Sequence, residues 1–371
     1  MTTLSAEVKR NWNELFSSLW SAVLQDSQLA KQPPSLAIAF SKGLQAGTAP
    51  SLASAEPFII TIPMGFARGL HNEVQGLRDQ LSLLAFDSPS SSRAAANQTQ
   101  ELVESFSVAF ILLHEIFHLI AGHAAWVNRR SRNLSFEQGK MGLPLSYAAS
   151  QSYAAAAKAY LLECEADCSA IQWMCQILHP VLLHRLLKTQ NKPIQFLSGR
   201  HRAIGFRILL ASIWLAIRRL ESAREELLRN NSKTHPLPTT RVFGAFGTLL
   251  MHFSRISNLR YDSDGGAQHK LSETDIAAIR RFLRLVLGPV LKCDWNPERT
   301  GLPPDSLEAQ MRFYLRDWAN HLLNKPVTTV VGRELLRMEK QRFRMHRSLS
   351  SFRYYSAAEL TDSPSRKANR G

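Results

Sequence analysis

The stretch VAFILLHEIFHLIA, residues 108–121, is apolar except at His114, Glu115 and His118. An unbroken apolar run of this length, free of glycine and proline, reads as a helix inside a hydrophobic core. Imidazole and carboxylate groups buried there without partners would be strongly destabilising, and a buried charge more so. At about 100° per residue, His114 and His118 share one face one turn apart, so both rings can reach a single ion. Glu115 then projects to the side of that ion, where a carboxylate can hold a water molecule. The competing reading is a pair of core histidines satisfied by backbone carbonyls, with Glu115 in an ion pair. Spacing and apolar setting together favour the metal.

The rest of the chain supplies a setting for such a helix. With 371 residues, 45% of them hydrophobic, it can bury a substantial core and is expected to form more than one domain. The helix of His114 is expected from near Thr99 to about Val127, after a polar loop at 87–98. A second long helix is expected from about Tyr147 to Leu178, and others over 201–229, 239–258, 272–292 and 305–323. Near the N-terminus, Ser5 can cap a helix on which Val8, Trp12, Leu15, Phe16, Leu19 and Val23 recur at three- and four-residue steps. PFIITIP (57–63) is the clearest strand, β-branched and closed by prolines, and could serve as an edge for an extended peptide. The polar segment 128–146, with its glycines and proline, reads as a loop and a candidate lid. The expected class is therefore mainly α, an α+β fold with a small sheet. The expected division is a first domain over 1–260, a basic helical domain over 271–332 and a basic tail over 333–371. YDSDGGAQHK (261–270) is the linker between the first two.

A catalytic zinc site needs a third protein ligand and an open position. LLECEADCSA (161–170) offers one on the second long helix. Glu163 and Asp167 are one turn apart on one face. Glu163 can bind the ion while Asp167 holds the far nitrogen of a ligand histidine. Glu165 points about 200° away and is a weaker candidate, as is Asp167 in the ligand role. Ala154 to Ala157, Ala166 and Ala170 keep this helix slim enough to pack closely on its neighbour. Cys164, Cys168 and Cys175 could be soft ligands but fit better as small packing residues. His123, after Gly122, is read as capping the helix end or touching the lid rather than binding metal.

A third motif, THPLPTTR (234–241), places His235 and Arg241 on a proline-fixed turn. Taken in order, His114-Glu115-Ile116-Phe117-His118, Glu163-Cys164-Glu165-Ala166-Asp167 and Thr234-His235-Pro236 through Arg241 resemble the zinc peptidases that include HtpX and the CAAX prenyl proteases. The Gly122-His123 pair after the first motif also looks like the soluble Lit-type phage-exclusion peptidases, which share that core. The resemblance spans residues 110–245. It implies a zincin-like core and a gluzincin-type, zinc-dependent endopeptidase acting on a protein or peptide substrate. His114, His118 and Glu163 would hold Zn²⁺, with Asp167 behind them. Glu115 would be the general base, His235 would steady the oxyanion and Arg241 would orient its loop.

Charge points to a further partner. Residues 1–198 carry 15 Lys/Arg against 14 Asp/Glu, while residues 199–371 carry 30 against 16. A field of that sign favours an acidic partner: nucleic acid, an anionic surface or an acidic protein. No nucleic-acid motif accompanies it, so solvated basic helix faces are the plainer account. The rival function is a zinc-stabilised nucleic-acid-binding or regulatory protein without proteolytic activity. Four cysteines are too few for a disulfide framework in a chain this long. The start lacks the apolar stretch of a secretory signal, and the best span candidate, ILLASIWLAI (208–217), has about half the needed length. A cytoplasmic location with no transmembrane span is expected.

Overall fold

The computed structural model describes residues 2–25, 29, 31–42, 51–53, 56–85, 93–125, 153–178, 199–228, 245, 248–250, 252–253, 273–291 and 326. In chain order its elements are α1 (Thr2–Leu24), β1 (Leu36–Ser41), β2 (Ser51–Leu52), β3 (Phe58–Pro63), α2 (Met64–Gly76), α3 (Arg78–Ala85), α4 (Arg93–Ile120), α5 (Tyr153–Trp173), α6 (Gly199–Leu228), α7 (Glu273–Phe282) and α8 (Gly288–Leu291). Wide π-helical turns extend α5 over Met174–Leu178 and join α7 to α8 over Leu283–Leu287. The described residues are thus mainly helical with one small sheet, as the sequence predicts. The motif at 234–241, with His235 and Arg241, the segment 128–146, the helix expected over 305–323 and the tail from 333 lie outside the described residues. Of the helix expected over 239–258, residues 245, 248–250 and 252–253 are described, all helical.

α4 is the axis of the fold. A helix apolar on every side must be enclosed on every side, and every residue from Phe106 to Ala124 is buried. Five helices and a strand supply the enclosure: α1, α2, α3, α5, α6 and β2 all pack on α4. By length and composition Asn97–Ile120 could cross a membrane, so the expectation that no segment reaches that length is corrected. However, 89% of its most apolar window is buried against the rest of the protein. The 208–217 stretch lies within α6, where it is largely buried too, with Trp214 partly exposed.

Packing follows the periodicities. On α1, Val8, Trp12, Phe16, Leu19 and Val23 are buried and Leu15 packs at the margin. The helix begins at Thr2, so Ser5 sits inside it rather than capping it. β3 buries alternate residues Phe58, Ile60 and Ile62, the period-two signature of a strand with one face on a core. The sheet order is β1-β3-β2, with β1 parallel and β2 antiparallel to β3. β3 is therefore the central strand, and the idea that it offers an edge to an extended peptide is corrected. Pro63 ends it and starts α2 in one step, its φ of −66° already suiting a helix entry.

α7 and α8 join the same core. Phe282, Val286, Leu287 and Val290 pack with residues of α3 and α6. Phe253 stacks edge-on between Phe206 (5.3 Å) and Phe282 (5.2 Å). Arg207, buried on α6, ties the arrangement together. Its Nε donates to the Leu285 carbonyl at 2.5 Å and its Nη1 to the Leu84 carbonyl at 3.3 Å. Arg280, Arg281 and Arg284 stay on the exposed side.

Candidate metal centre

The site forms where α5 crosses the C-terminal third of α4. Close approach is possible because Ala166 and Ala170, both fully buried, give α5 little bulk at the contact. His114 and His118, one turn apart on α4, meet edge to face with ring centroids 4.6 Å apart. Their Nε2 atoms converge to 3.1 Å. Glu163 reaches both from α5: Oε2 is 3.3 Å from His114 Nε2 and Oε1 is 3.5 Å from His118 Nε2. His114, His118 and Glu163 thus form a buried group that could hold a metal ion, their ligand atoms all within 4.8 Å of one another. That group contains no cysteine. Cys164 and Cys168 are half-buried and Cys175 is buried.

Asp167 stands where its spacing predicts, one turn beyond Glu163, with Oδ1 2.8 Å from His114 Nδ1. His114 therefore presents Nε2 to the cluster and Nδ1 to a carboxylate. Burial works to lower its pKa, but the hydrogen bonds and charges of Asp167 and Glu163 outweigh it and push it up to about 9. Glu115 is also buried, the next residue along α4 and about 100° round from His114.

The sequence reading missed the partner of His118. α4 ends at Ile120, short of the expected Val127. Gly122 there adopts φ 78°, a conformation open to glycine at little cost. The Ala121 N–H donates to the Phe117 carbonyl (2.8 Å) and the Gly122 N–H to the Leu119 carbonyl (2.9 Å), closing the helix end. Past this break the chain is helical again over 123–125 and sets His123 beside His118. There it is completely buried, its Nδ1 2.9 Å from His118 Nδ1. On its other side, His123 Nε2 lies 3.4 Å from Glu165 Oε2. Glu165 is consequently buried despite its angular distance from Glu163. The one available signal was the helix-stopping Gly122 set directly before a histidine.

Seven titratable side chains on α4, on α5 and just past Gly122 are thus buried: His114, Glu115, His118, His123, Glu163, Glu165 and Asp167. Four are carboxylates, so the cluster is a place for positive charge. Comparison with family models finds no match for this chain, and comparisons with curated proteins and with solved structures find none either.

Proposed function

We propose that this chain is a zinc-dependent peptidase whose ion is held by His114, His118 and Glu163. The observation that carries the reading is the convergence of these three donors from two packed helices. Tetrahedral zinc with bonds of about 2.0–2.1 Å would set its ligands about 3.3–3.4 Å apart. Here the two Nε2 atoms are 3.1 Å apart, one Glu163 oxygen lies 3.3 Å from His114 and the other 3.5 Å from His118, and one donor atom from each residue can be chosen with all three within 4.8 Å. Two imidazoles and one carboxylate are also a donor set that suits zinc better than calcium or magnesium, which prefer oxygen throughout. A structural zinc would instead be expected to take four side-chain ligands, often cysteines.

When bound, zinc would supply Lewis acidity, making water more acidic and polarising a peptide carbonyl. The remaining work belongs to the protein. Glu115, adjacent to His114 and enclosed with the ligands, is the proposed general base, taking a proton from water and delivering it to the leaving amine. Asp167 fixes the tautomer of His114 by accepting from Nδ1, which leaves Nε2 free to bind the ion. The resemblance to HtpX and the CAAX prenyl proteases assigns oxyanion stabilisation to His235 and loop orientation to Arg241. A zincin-like core and a protein or peptide substrate belong to the same proposal.

The test is Glu115→Gln. The variant should bind one zinc per chain as the parent does and lose cleavage of a denatured-protein or peptide-library substrate. Cleavage undiminished in Glu115→Gln would refute the general-base role. A parent protein that binds no zinc would refute the proposal entirely.

A further inference from the structure

We infer that His123 and Glu165 are positioning residues for the metal ligand His118, an inference that rests on the metal-centre reading above. His118 turns Nε2 toward His114 and Glu163 and Nδ1 toward His123, with the two Nδ1 atoms 2.9 Å apart. One of those nitrogens must donate and the other accept, and binding an ion settles which. A neutral imidazole that coordinates through Nε2 carries its proton on Nδ1. His118 therefore donates, and His123 must accept through an unprotonated Nδ1. The proton of neutral His123 is then on Nε2, the atom that faces Glu165 Oε2 at 3.4 Å. One set of tautomers then runs from carboxylate to ion, the charge of Glu165 favouring a proton on the nitrogen it faces.

The two ligand histidines are thus supported differently. His114 rests directly on Asp167 at 2.8 Å, whereas His118 reaches its carboxylate through an intervening imidazole. His123 can fill this gap because Gly122, at φ 78°, breaks the path of α4 just before it. Support of this kind for a ligand histidine is typically worth ~10–100-fold in metal affinity.

The experiment uses the full chain and Zn²⁺ itself, with affinity read by competition against a chromophoric chelator. His123→Phe keeps a ring but removes the acceptor, and should weaken zinc binding by ~10–100-fold. His123→Asn can place an oxygen near the position of Nδ1, and should recover most of that loss. Nitrogen-15 spectra of histidine in the zinc-loaded parent should show His118 protonated on Nδ1 and His123 protonated on Nε2. Unchanged affinity in His123→Phe, no recovery in His123→Asn, or an Nδ1-protonated His123 would each overturn the inference while leaving the three-ligand site standing. Failure of the parent to bind zinc would overturn both. Should His123→Phe not fold, the tautomer measured in the parent decides alone.

Discussion

Removing the Glu163 carboxylate opposes two effects that the structure allows to be weighed. Glu163→Ala deletes one of three converging donors. Four-ligand structural zinc sites are worth about 10–16 kcal/mol, or roughly 3 kcal/mol per ligand. At about 1.4 kcal/mol per factor of ten, that is a loss of roughly 150-fold. The same carboxylate helps raise the pKa of His114 to about 9, so a proton competes with the ion for that ring at neutral pH. Deleting Glu163 eases this competition. Asp167 remains at 2.8 Å from His114 and is the larger of the two raising influences. The relief is therefore only partial. The net expectation near neutral pH is a loss of up to about 150-fold, smaller than the ligand deletion alone would give. Chelator competition measures it directly, and the gap between parent and variant should widen as the pH is raised toward 9, because the parent has more to gain from deprotonation. A Glu163→Ala affinity indistinguishable from the parent would show that this carboxylate is no ligand.

Three further outcomes are expected. In metal-free protein, His114 has a pKa raised from 6.5 to about 9, so it contributes stability fully below 6.5 and loses it as the pH rises through 9; urea midpoints over that range should fall, and a flat profile would contradict the assignment. Burial pushes the Cys175 thiol well above its ordinary range although Arg202 pulls the other way, so Cys175 should resist alkylation in native protein while half-buried Cys164 and Cys168 react; mass mapping after iodoacetamide checks the order. Arg207→Met should destabilise by about 3 kcal/mol or more, since charged hydrogen bonds are worth about 1.5–3 kcal/mol each and two carbonyls lose this donor; a lower urea midpoint at unchanged slope would show it.

The candidate ligand set was legible because helical geometry is local. His114 and His118, and Glu163 and Asp167, each sit one turn apart, and the sequence alone places each pair on one face. That the two faces meet was legible only through the alanines of α5. Glu165 was rightly ranked below Glu163 as a ligand, but its contact with His123 was not legible, for the complementary reason. Angular position on a helix ranks residues toward one neighbour, but says nothing of a residue such as His123, placed by the break at Gly122 beyond the end of another helix. β1, Leu36–Ser41, went unread because alanine and serine dilute its alternation, and its strand character comes from pairing along β3. The end of α4 was placed late because Ala124, Trp126 and Val127 continue the apolar pattern past a glycine whose conformation the pattern does not encode.

The rod that fills the middle of this protein is also the one that presents two of the three candidate donors. Anything that binds the native state but not the unfolded chain stabilises it by mass action, about 2.7 kcal/mol at a hundred times the dissociation constant. For a pillar enclosed by five other helices, occupancy would tighten the architecture as a whole, and a chelator would act as a mild denaturant. A cavity cut near the other end of that rod, at Val103 for instance, would in turn register as weakened grip on the ion.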